Sequence, residues 1–291
     1  MDTIRLKARA KINLGLDVVR RREDGYHEVR MVMQMLKLYD QIDIEKTETP
    51  GIRLTCNLSF LPTDERNIAY KAAKVMMEQF DIKQGVCIRI EKHIPVAAGM
   101  AGGSTDCAAV LYGMNKLFDL QLSQKKLREI GVKLGADVPY CLMRRTALSE
   151  GIGEILTPVA PLPDCPILIA KPSISVSTRY VYEHLKLNEE TLHPDVDSIV
   201  SALKAKDLYG VTDRLGNVLE TVTIPEHSVI ADIKQQMMQS GAVNALMSGS
   251  GPTVFGIFDD EDKAKKAFED MKASGLARQI YLTRPFNQKI K

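Results

Sequence analysis

A glycine-rich segment in the first half of the chain has the composition of a phosphate-binding loop. Between Pro95 and Asp106 the sequence contains three glycines and three alanines, and a helical pattern follows. Residues without bulky side chains let main-chain N–H groups approach a phosphate, and a helix N-terminus attracts anions. The segment has neither the Walker A pattern nor the G-x-G-x-x-G pattern. It therefore indicates phosphate binding without a loop lysine, while tight helix packing is an alternative explanation of the same glycines.

Three further segments carry groups that phosphoryl transfer could use. Lys11 and Asn13 interrupt an apolar strand pattern, which is also typical of a lysine at a sheet edge. Asp137 follows a glycine at a predicted helix-to-strand junction, where an aspartate often bonds local amides. Ser248–Thr253 is a second glycine-rich segment between two predicted strands, and its spacing alone favours a hairpin loop. Because each has a structural explanation, none of these segments identifies a function by itself.

The elements that must position these residues alternate between strand and helix patterns. Helical spacing predicts helices over residues 67–80, 106–118 and 262–274, and a fourth that begins at Ser123. Strands in hairpin-like pairs between helices indicate an α+β fold rather than a doubly wound one. Period-two alternation over residues 4–8, which continues over 12–18, predicts a half-buried strand, and further alternation or short apolar runs predict strands at residues 29–38, 42–44, 52–54, 86–90, 167–170, 242–247, 253–258 and 279–283.

Length and composition exclude several classes of protein. The chain has 291 residues, enough for two domains, and a proline-rich stretch over residues 158–163 is typical of a domain link. The formal net charge is +2 and aromatic residues make up 5%, which argues against a nucleic-acid partner. The five cysteines form no C-x-x-C pair, so neither a disulfide framework nor a zinc site is expected. With no signal-like start and no bilayer-length apolar run, we expect a cytoplasmic protein that is not bound to a membrane.

Together and in this order, the segments resemble the motifs of the GHMP kinases, the family of galactokinase, homoserine kinase and mevalonate kinase. Residues 95–106 are similar to the second motif of the family and Ser248–Thr253 to the third. The element Asp24-Gly25-Tyr26-His27, with the segments around Lys11, Asp137 and Gly151, resembles family members that act on a cytidine-containing substrate. The similarity extends from about residue 5 to residue 285.

The resemblance implies a two-domain α+β GHMP kinase fold. Its N-terminal, ATP-binding domain would span residues 1–160 and resemble domain 2 of ribosomal protein S5, and its C-terminal domain would span residues 161–291 and be ferredoxin-like. The implied activity is ATP-dependent phosphorylation of a hydroxyl of a cytidine-diphosphate-linked polyol in the non-mevalonate pathway of isoprenoid synthesis. ATP and Mg²⁺ are the implied cofactors, the metal ligands are not assigned, and a monomer or homodimer is expected.

The resemblance also implies roles for individual residues. Asp137 would accept or orient the proton of the substrate hydroxyl, and Lys11 would keep that carboxylate ionised and offset the charge of the transferring phosphoryl group. Tyr26 and His27 would recognise cytosine, with Tyr182 covering the opposite face of the base. Asn13 and Thr178 would bond the substrate phosphate or polyol, and Ser104 is a candidate to approach magnesium. The ATP phosphates would be bound by the loop formed by Pro95, Val96, Ala97, Ala98, Gly99, Met100, Ala101, Gly102, Gly103, Ser104 and Thr105.

Three alternatives accompany this interpretation. Another GHMP kinase, acting on homoserine or a mevalonate derivative, would not need the Asp24–His27 element. A metabolite sensor without catalytic activity would not need both Lys11 and Asp137. An RNA-binding module would need more positive charge and more aromatic residues.

The pair Arg144-Arg145 departs from the resemblance, because family members commonly have a glycine pair at this turn. A positive φ at this turn would strain an arginine.

Overall fold

The computed structural model of the chain describes residues 2–288. Within these residues strands and helices interleave, which confirms the predicted α+β class. The strands are β1 (Thr3–Arg21), β2 (His27–Thr47), β3 (Ile52–Cys56), β4 (Gly85–Glu91), β5 (Ala147–Glu150), β6 (Ile155–Pro158), β7 (Ile167–Lys171), β8 (Gly216–Asn217), β9 (Asn244–Met247), β10 (Val254–Ile257) and β11 (Gln279–Thr283). The helices are α1 (Ile68–Gln79), α2 (Gly102–Leu117), α3 (Gln124–Gly131), α4 (Val138–Met143), α5 (Thr178–His184), α6 (Val196–Ala205), α7 (Leu208–Thr212), α8 (Glu220–Glu226), α9 (Val229–Gln239) and α10 (Glu261–Ser274).

The described residues form two compact units, and both are discontinuous in sequence. The first comprises the residues up to Ala10, then Leu38–Val96 and Ala101–Arg144. The second comprises Lys11–Lys37, Ala97–Met100 and the residues from Arg145 onward. Because these units are defined by packing and not by sequence position, they do not test the predicted boundary between residues 160 and 161, which stays a prediction.

The first unit packs helices on one face of a sheet. Strand β4 pairs antiparallel with β2 over Gln41–Thr47 and parallel with β3. Ile42, Ile44 and Ile88 are fully buried, as their alternation with polar neighbours predicts. Helix α2 lies close to this sheet because Gly113 has no side chain, since a Cβ atom there would come within 2.5 Å of Ile44 Cδ1.

Strand β1 is one continuous strand of 19 residues, and it contains the alternation predicted over residues 4–8 and 12–18. Ala10 is fully buried on the same side as Ala8 and Ile12, so the alternation is not interrupted. Lys11 and Asn13 therefore lie inside a strand that holds their backbone in extended geometry.

The second unit contains the ferredoxin-like arrangement that the resemblance implied. Its four-stranded sheet has the order β11-β7-β10-β9, and all three pairs are antiparallel. Helices α9 and α10 make the two crossovers of the β-α-β-β-α-β pattern. In the same unit β5 pairs with β2 and with β6, and β8 pairs in parallel with Gly15 and Leu16 of β1.

Three local predictions need correction or completion. Helix α2 begins at Gly102, four residues before the predicted start at Asp106. Asp137 precedes helix α4 and not a strand, because Pro139 in the first turn fits a helix start. Arg144 ends α4 with a φ of +57°, so an arginine does occupy a left-handed position there. None of the helices within residues 2–288 combines the length and hydropathy that crossing a bilayer requires.

Candidate active site

The glycine-rich segment ends in helix α2 and has an unusual main-chain conformation. Ala97, Gly99 and Ala101 have φ values of +50°, +70° and +56°, and the residues between them do not have positive φ. Left-handed residues that alternate with right-handed ones can turn successive N–H groups toward one side, which is the geometry of an anion-binding nest. Ala101 precedes α2 and has no side chain that could cap the first N–H groups of the helix. Phosphate binding by this segment stays a prediction, with which these φ values and the uncapped helix start are compatible.

Gly99 fixes the position of this segment against the second glycine-rich segment, Ser248–Thr253. Ser248 Oγ donates a hydrogen bond of 3.0 Å to Gly99 O. A Cβ atom at Gly99 would lie 2.0 Å from Ser248 O, so another residue type would force the two main chains apart. The structure thus brings together two segments that are about 150 residues apart in sequence, and it gives the glycine a steric reason.

Hydrogen bonds from Asn217 fix the main chain of the Ser248–Thr253 segment, and the sequence did not indicate this role for Asn217. Asn217 Nδ2 donates 2.8 Å hydrogen bonds to Met247 O and to Gly249 O. Ser250 Oγ and Thr178 Oγ1 are 2.8 Å apart, which connects this segment to the predicted substrate residue Thr178. Asn217 follows a glycine in a two-residue strand, and no sequence pattern indicates that role.

Lys11 is buried in the second unit and adjoins the end of the phosphate-binding loop. Its Nζ donates a 2.6 Å hydrogen bond to Asn13 Oδ1, and its main-chain N–H donates to Met100 O at 3.2 Å. Only 5% of Lys11 is exposed and Asn13 is fully buried. The sheet-edge explanation of this lysine therefore fails, because an ammonium that reaches water would not be buried beside an amide.

Asp137 stands at the start of α4 in the first unit, and it is half-buried. Its carboxylate makes no capping hydrogen bond to the helix that it precedes. The explanation that this aspartate bonds local amides is thus not supported by the described residues. A Cβ atom at Gly135 would lie 3.8 Å from Ser104 Oγ, so the turn that carries Asp137 packs beside the first turn of α2.

A buried ion triad holds the entry to the phosphate-binding loop, and the sequence did not reveal it. Lys92 Nζ forms ion pairs with Asp40 and, at 2.7 Å, with Asp106 on α2. Asp40 Oδ1 also accepts main-chain hydrogen bonds from His93 and Ile94. Burial lowers the pKa of Lys92, but the two carboxylates outweigh this and raise the pKa overall. Burial raises the pKa of Asp106 well above its ordinary value. Lys92, which precedes the loop, was the only hint of this triad in the sequence. Its partners could not be identified because they are distant in sequence.

Two of the predicted base-recognition residues are in contact. The rings of His27 and Tyr182 have centroids 5.3 Å apart and are tilted by 43°. The neighbouring Tyr26 is 60% exposed, so its ring is accessible to a planar ligand. Asp24 Oδ1 accepts a hydrogen bond from Tyr26 N and shapes the turn that presents these rings. Burial, and secondarily the Arg21 guanidinium, lower the pKa of His27, which favours a neutral imidazole.

Metal ligation by the protein alone is not indicated within residues 2–288. They contain no group of three or more His, Cys, Asp or Glu side chains that could hold a metal ion. Buried metal sites in proteins usually need such a group, whereas Mg²⁺ beside a nucleotide takes most of its ligands from phosphates and water.

Comparisons with known proteins give a consistent result. The profile "GHMP kinases N terminal domain" matches residues 67–145, and "GHMP kinases C terminal" matches residues 199–276. The chain is 55% identical, over 289 residues and 99% of both chains, to a 4-diphosphocytidyl-2-C-methyl-D-erythritol kinase of Lachnoclostridium phytofermentans. A crystal structure of a 4-(cytidine 5'-diphospho)-2C-methyl-D-erythritol kinase matches with a TM-score of 0.85 and 32% identity, covering 98% of this chain and 100% of that one. A homoserine kinase from Cytophaga hutchinsonii matches with a TM-score of 0.75 at 19% identity, covering 98% of this chain and 94% of that one, which shows a shared fold.

Proposed function

This chain belongs to the GHMP kinase family, and from this premise we propose that it phosphorylates the 2-hydroxyl of 4-diphosphocytidyl-2-C-methyl-D-erythritol with ATP. The reaction would belong to the non-mevalonate pathway of isoprenoid synthesis. ATP-dependent phosphotransfer and the GHMP kinase fold follow from the family and from the full-length relatives. The identity of the acceptor is the part that we propose.

The contact between His27 and Tyr182 is the observation that carries the choice of acceptor. A ring pair with a centroid distance of 5.3 Å beside the exposed Tyr26 suits a flat heteroaromatic base. A neutral imidazole can both donate and accept a hydrogen bond at the edge of such a base. Homoserine and mevalonate have no ring, so a kinase for either of them would not need these side chains.

The proposed chemistry uses one carboxylate, one ammonium and a set of main-chain amides. Asp137 accepts or orients the proton of the attacking hydroxyl while the hydroxyl oxygen forms a bond to the γ-phosphorus and ADP leaves. Lys11 offsets negative charge near the transferring phosphoryl group, and Asn13 holds its ammonium. Within the second unit Lys11 N donates a hydrogen bond to Met100 O, and within the first unit the turn that carries Asp137 packs beside Ser104. Because phosphoryl transfer depends mainly on positioning and electrostatics, this equipment is sufficient.

The residues present fit a bound MgATP. The positive φ values at Ala97, Gly99 and Ala101 are typical of main-chain anion-binding nests, which supports the proposal that N–H groups of this loop bind the phosphates. Mg²⁺ would neutralise phosphate charge when bound, and the Ser104 hydroxyl is the protein oxygen that we propose to approach it. The absence of a three-ligand protein cluster within residues 2–288 fits a metal that is held mostly by the nucleotide.

A substrate panel tests the proposal. We expect ATP consumption with 4-diphosphocytidyl-2-C-methyl-D-erythritol, none above background with homoserine, mevalonate or phosphomevalonate, and none after removal of metal with EDTA. The surface variant Asp262→Ala, whose side chain is 90% exposed, should behave as the unmodified chain. Turnover of homoserine or mevalonate, or turnover that continues without metal, would contradict the proposal.

Three finer predictions stay predictions. We propose that the chain acts without nucleic acid, as a monomer or homodimer, and in the cytoplasm. Light scattering coupled to size-exclusion chromatography measures the oligomeric state directly. A mass above that of two chains would contradict the second of these predictions.

A further inference from the structure

Lys171 is a buried lysine that the proposed mechanism does not use. It is the last residue of β7, whose five residues are all buried between β10 and β11. Only 8% of Lys171 is exposed. Its Nζ donates hydrogen bonds to Ile174 O at 2.9 Å and to Pro172 O at 3.2 Å. The ammonium therefore folds back onto the loop that leaves the strand.

No carboxylate balances this charge. Within residues 2–288, no carboxylate raises the pKa of Lys171, and the exposed Arg278 is its charged neighbour. Burial, and secondarily Arg278, lower the pKa of Lys171. Burying an ammonium against carbonyl dipoles alone is unfavourable compared with an apolar side chain of similar size. A lysine at this position is therefore not explained by a gain in the free energy of unfolding. It is explained by the hydrogen bonds that its ammonium makes to the loop.

The loop that Lys171 holds leads directly to two residues of the proposed substrate site. Residues 172–177 have no regular secondary structure, so main-chain ladders do not fix their path. Ser177 caps α5, in which Thr178 is the first residue and Tyr182 lies one turn later. Thr178 is hydrogen-bonded to Ser250, and Tyr182 contacts His27. The path of this short loop therefore sets where both side chains stand.

We propose that Lys171 is a positioning residue for recognition of the cytidine diphosphate group, acting through the 172–177 loop on Thr178 and Tyr182. This inference rests on the proposed function. The two hydrogen bonds from its ammonium hold Pro172 O and Ile174 O in place, so that the loop from the end of β7 to the start of α5 follows one path. Removing the ammonium frees the loop and leaves two carbonyls without this partner.

The experiment compares Lys171→Met with Lys272→Met, which removes a lysine from the exposed side of α10. Isothermal titration with cytidine 5'-diphosphate and steady-state kinetics are measured on both variants and on the unmodified chain. We expect Lys171→Met to raise the Kd for cytidine 5'-diphosphate and the KM for the cytidine substrate about tenfold, the effect of losing hydrogen bonds from a charged group. The KM for ATP and the Tm should stay unchanged, and Lys272→Met should change none of these values.

A double-mutant cycle with Thr178→Val tests whether the effect passes through the loop. If Lys171 acts by placing Thr178, the two substitutions together should cost less than the product of their separate effects. Strictly multiplicative effects would overturn the inference, as would an unchanged Kd in Lys171→Met or an equal rise in both KM values. If Lys171→Met does not fold, Lys171→Gln serves for the same comparison. Failure of the unmodified chain to use the cytidine substrate would refute the proposed function instead, which keeps the two failures separate.

Discussion

Replacing Gly99 by alanine tests the close approach between the phosphate-binding loop and the Ser248–Thr253 segment. A Cβ atom at Gly99 would lie 2.0 Å from Ser248 O and 3.3 Å from Gly251 N, all fixed main-chain atoms. An ordinary contact needs about 3.4 Å, so the two segments must separate by about 1.4 Å. The shift would also break the hydrogen bond from Ser248 Oγ to Gly99 O.

Gly99→Ala lowers the free energy of unfolding for two reasons, an unfavourable backbone conformation and overpacking. A substitution at Gly275 measures the first of these alone. Gly99 has a φ of +70°, and a left-handed alanine costs about 1 to 2 kcal/mol. Gly275 has a φ of +69° and no atom within 4 Å of its Cβ position, so Gly275→Ala carries the conformational cost alone. Overpacking adds about 1 to 3 kcal/mol, so Gly99→Ala should lower the free energy of unfolding by about 2 to 5 kcal/mol.

Denaturant unfolding and steady-state kinetics measure the two consequences on Gly99→Ala and Gly275→Ala. A displacement of about 1 Å in a positioned site can cost about 10²-fold in rate, so we expect kcat/KM for ATP to fall by about that factor in Gly99→Ala only. Gly275→Ala should keep the kinetics of the unmodified chain. Equal losses of stability in the two variants, with normal kinetics in both, would refute the steric argument.

Three further predictions address the carboxylate, the histidine and the strained arginine. Asp137→Ala should lower kcat by about two orders of magnitude or more, the scale of a lost general base, while Asp262→Ala should not; an unchanged kcat would remove the proposed role. Because burial and Arg21 lower the pKa of His27, KM for the cytidine substrate should rise only as pH falls below about 6.5, and Arg21→Gln should move that rise to higher pH. Coinciding pH profiles would contradict this assignment. Arg144→Gly should raise the free energy of unfolding by about 1 kcal/mol because φ is +57° there, and a lower midpoint in denaturant would show that the arginine's contacts matter more than its strain.

Most of the architecture could be predicted from local patterns. The N-cap at Ser123 was predicted, and its side chain accepts a hydrogen bond from Lys126 N. The helix that follows Asn67 begins at Ile68, with Asn67 as its cap. These features depend on residues within one turn of each other, so the sequence contains the whole interaction.

Long strands and helix starts were less predictable, because burial by distant parts of the chain decides them. The alternation predicted a strand only up to Val18, but β1 continues to Arg21, because pairing with the neighbouring strand and not residue type decides where it ends. The start of α2 at Gly102 is similar, because glycine disfavours helix locally and is tolerated where the backbone must approach a neighbour closely.

For the candidate site, the sequence identified residue types and tertiary structure supplied their partners. Gly99, Lys11 and His27 were predicted from motifs, and the resemblance grouped His27 with Tyr182, yet nothing in the sequence pairs Gly99 with Ser248. The triad of Lys92, Asp40 and Asp106 had only the lysine before the loop as a signal, and the two hydrogen bonds of Asn217 had none.

The sequence by itself determined the chemical groups of this protein, namely small residues for a phosphate, one lysine, one aspartate and a histidine beside a tyrosine. Only the tertiary structure decided which groups are buried, which main chains touch, and which charges must be balanced. The physical reason is that residue type and helical or strand period are local properties. Steric exclusion, desolvation and ion pairing instead depend on atoms that the fold brings together from distant positions.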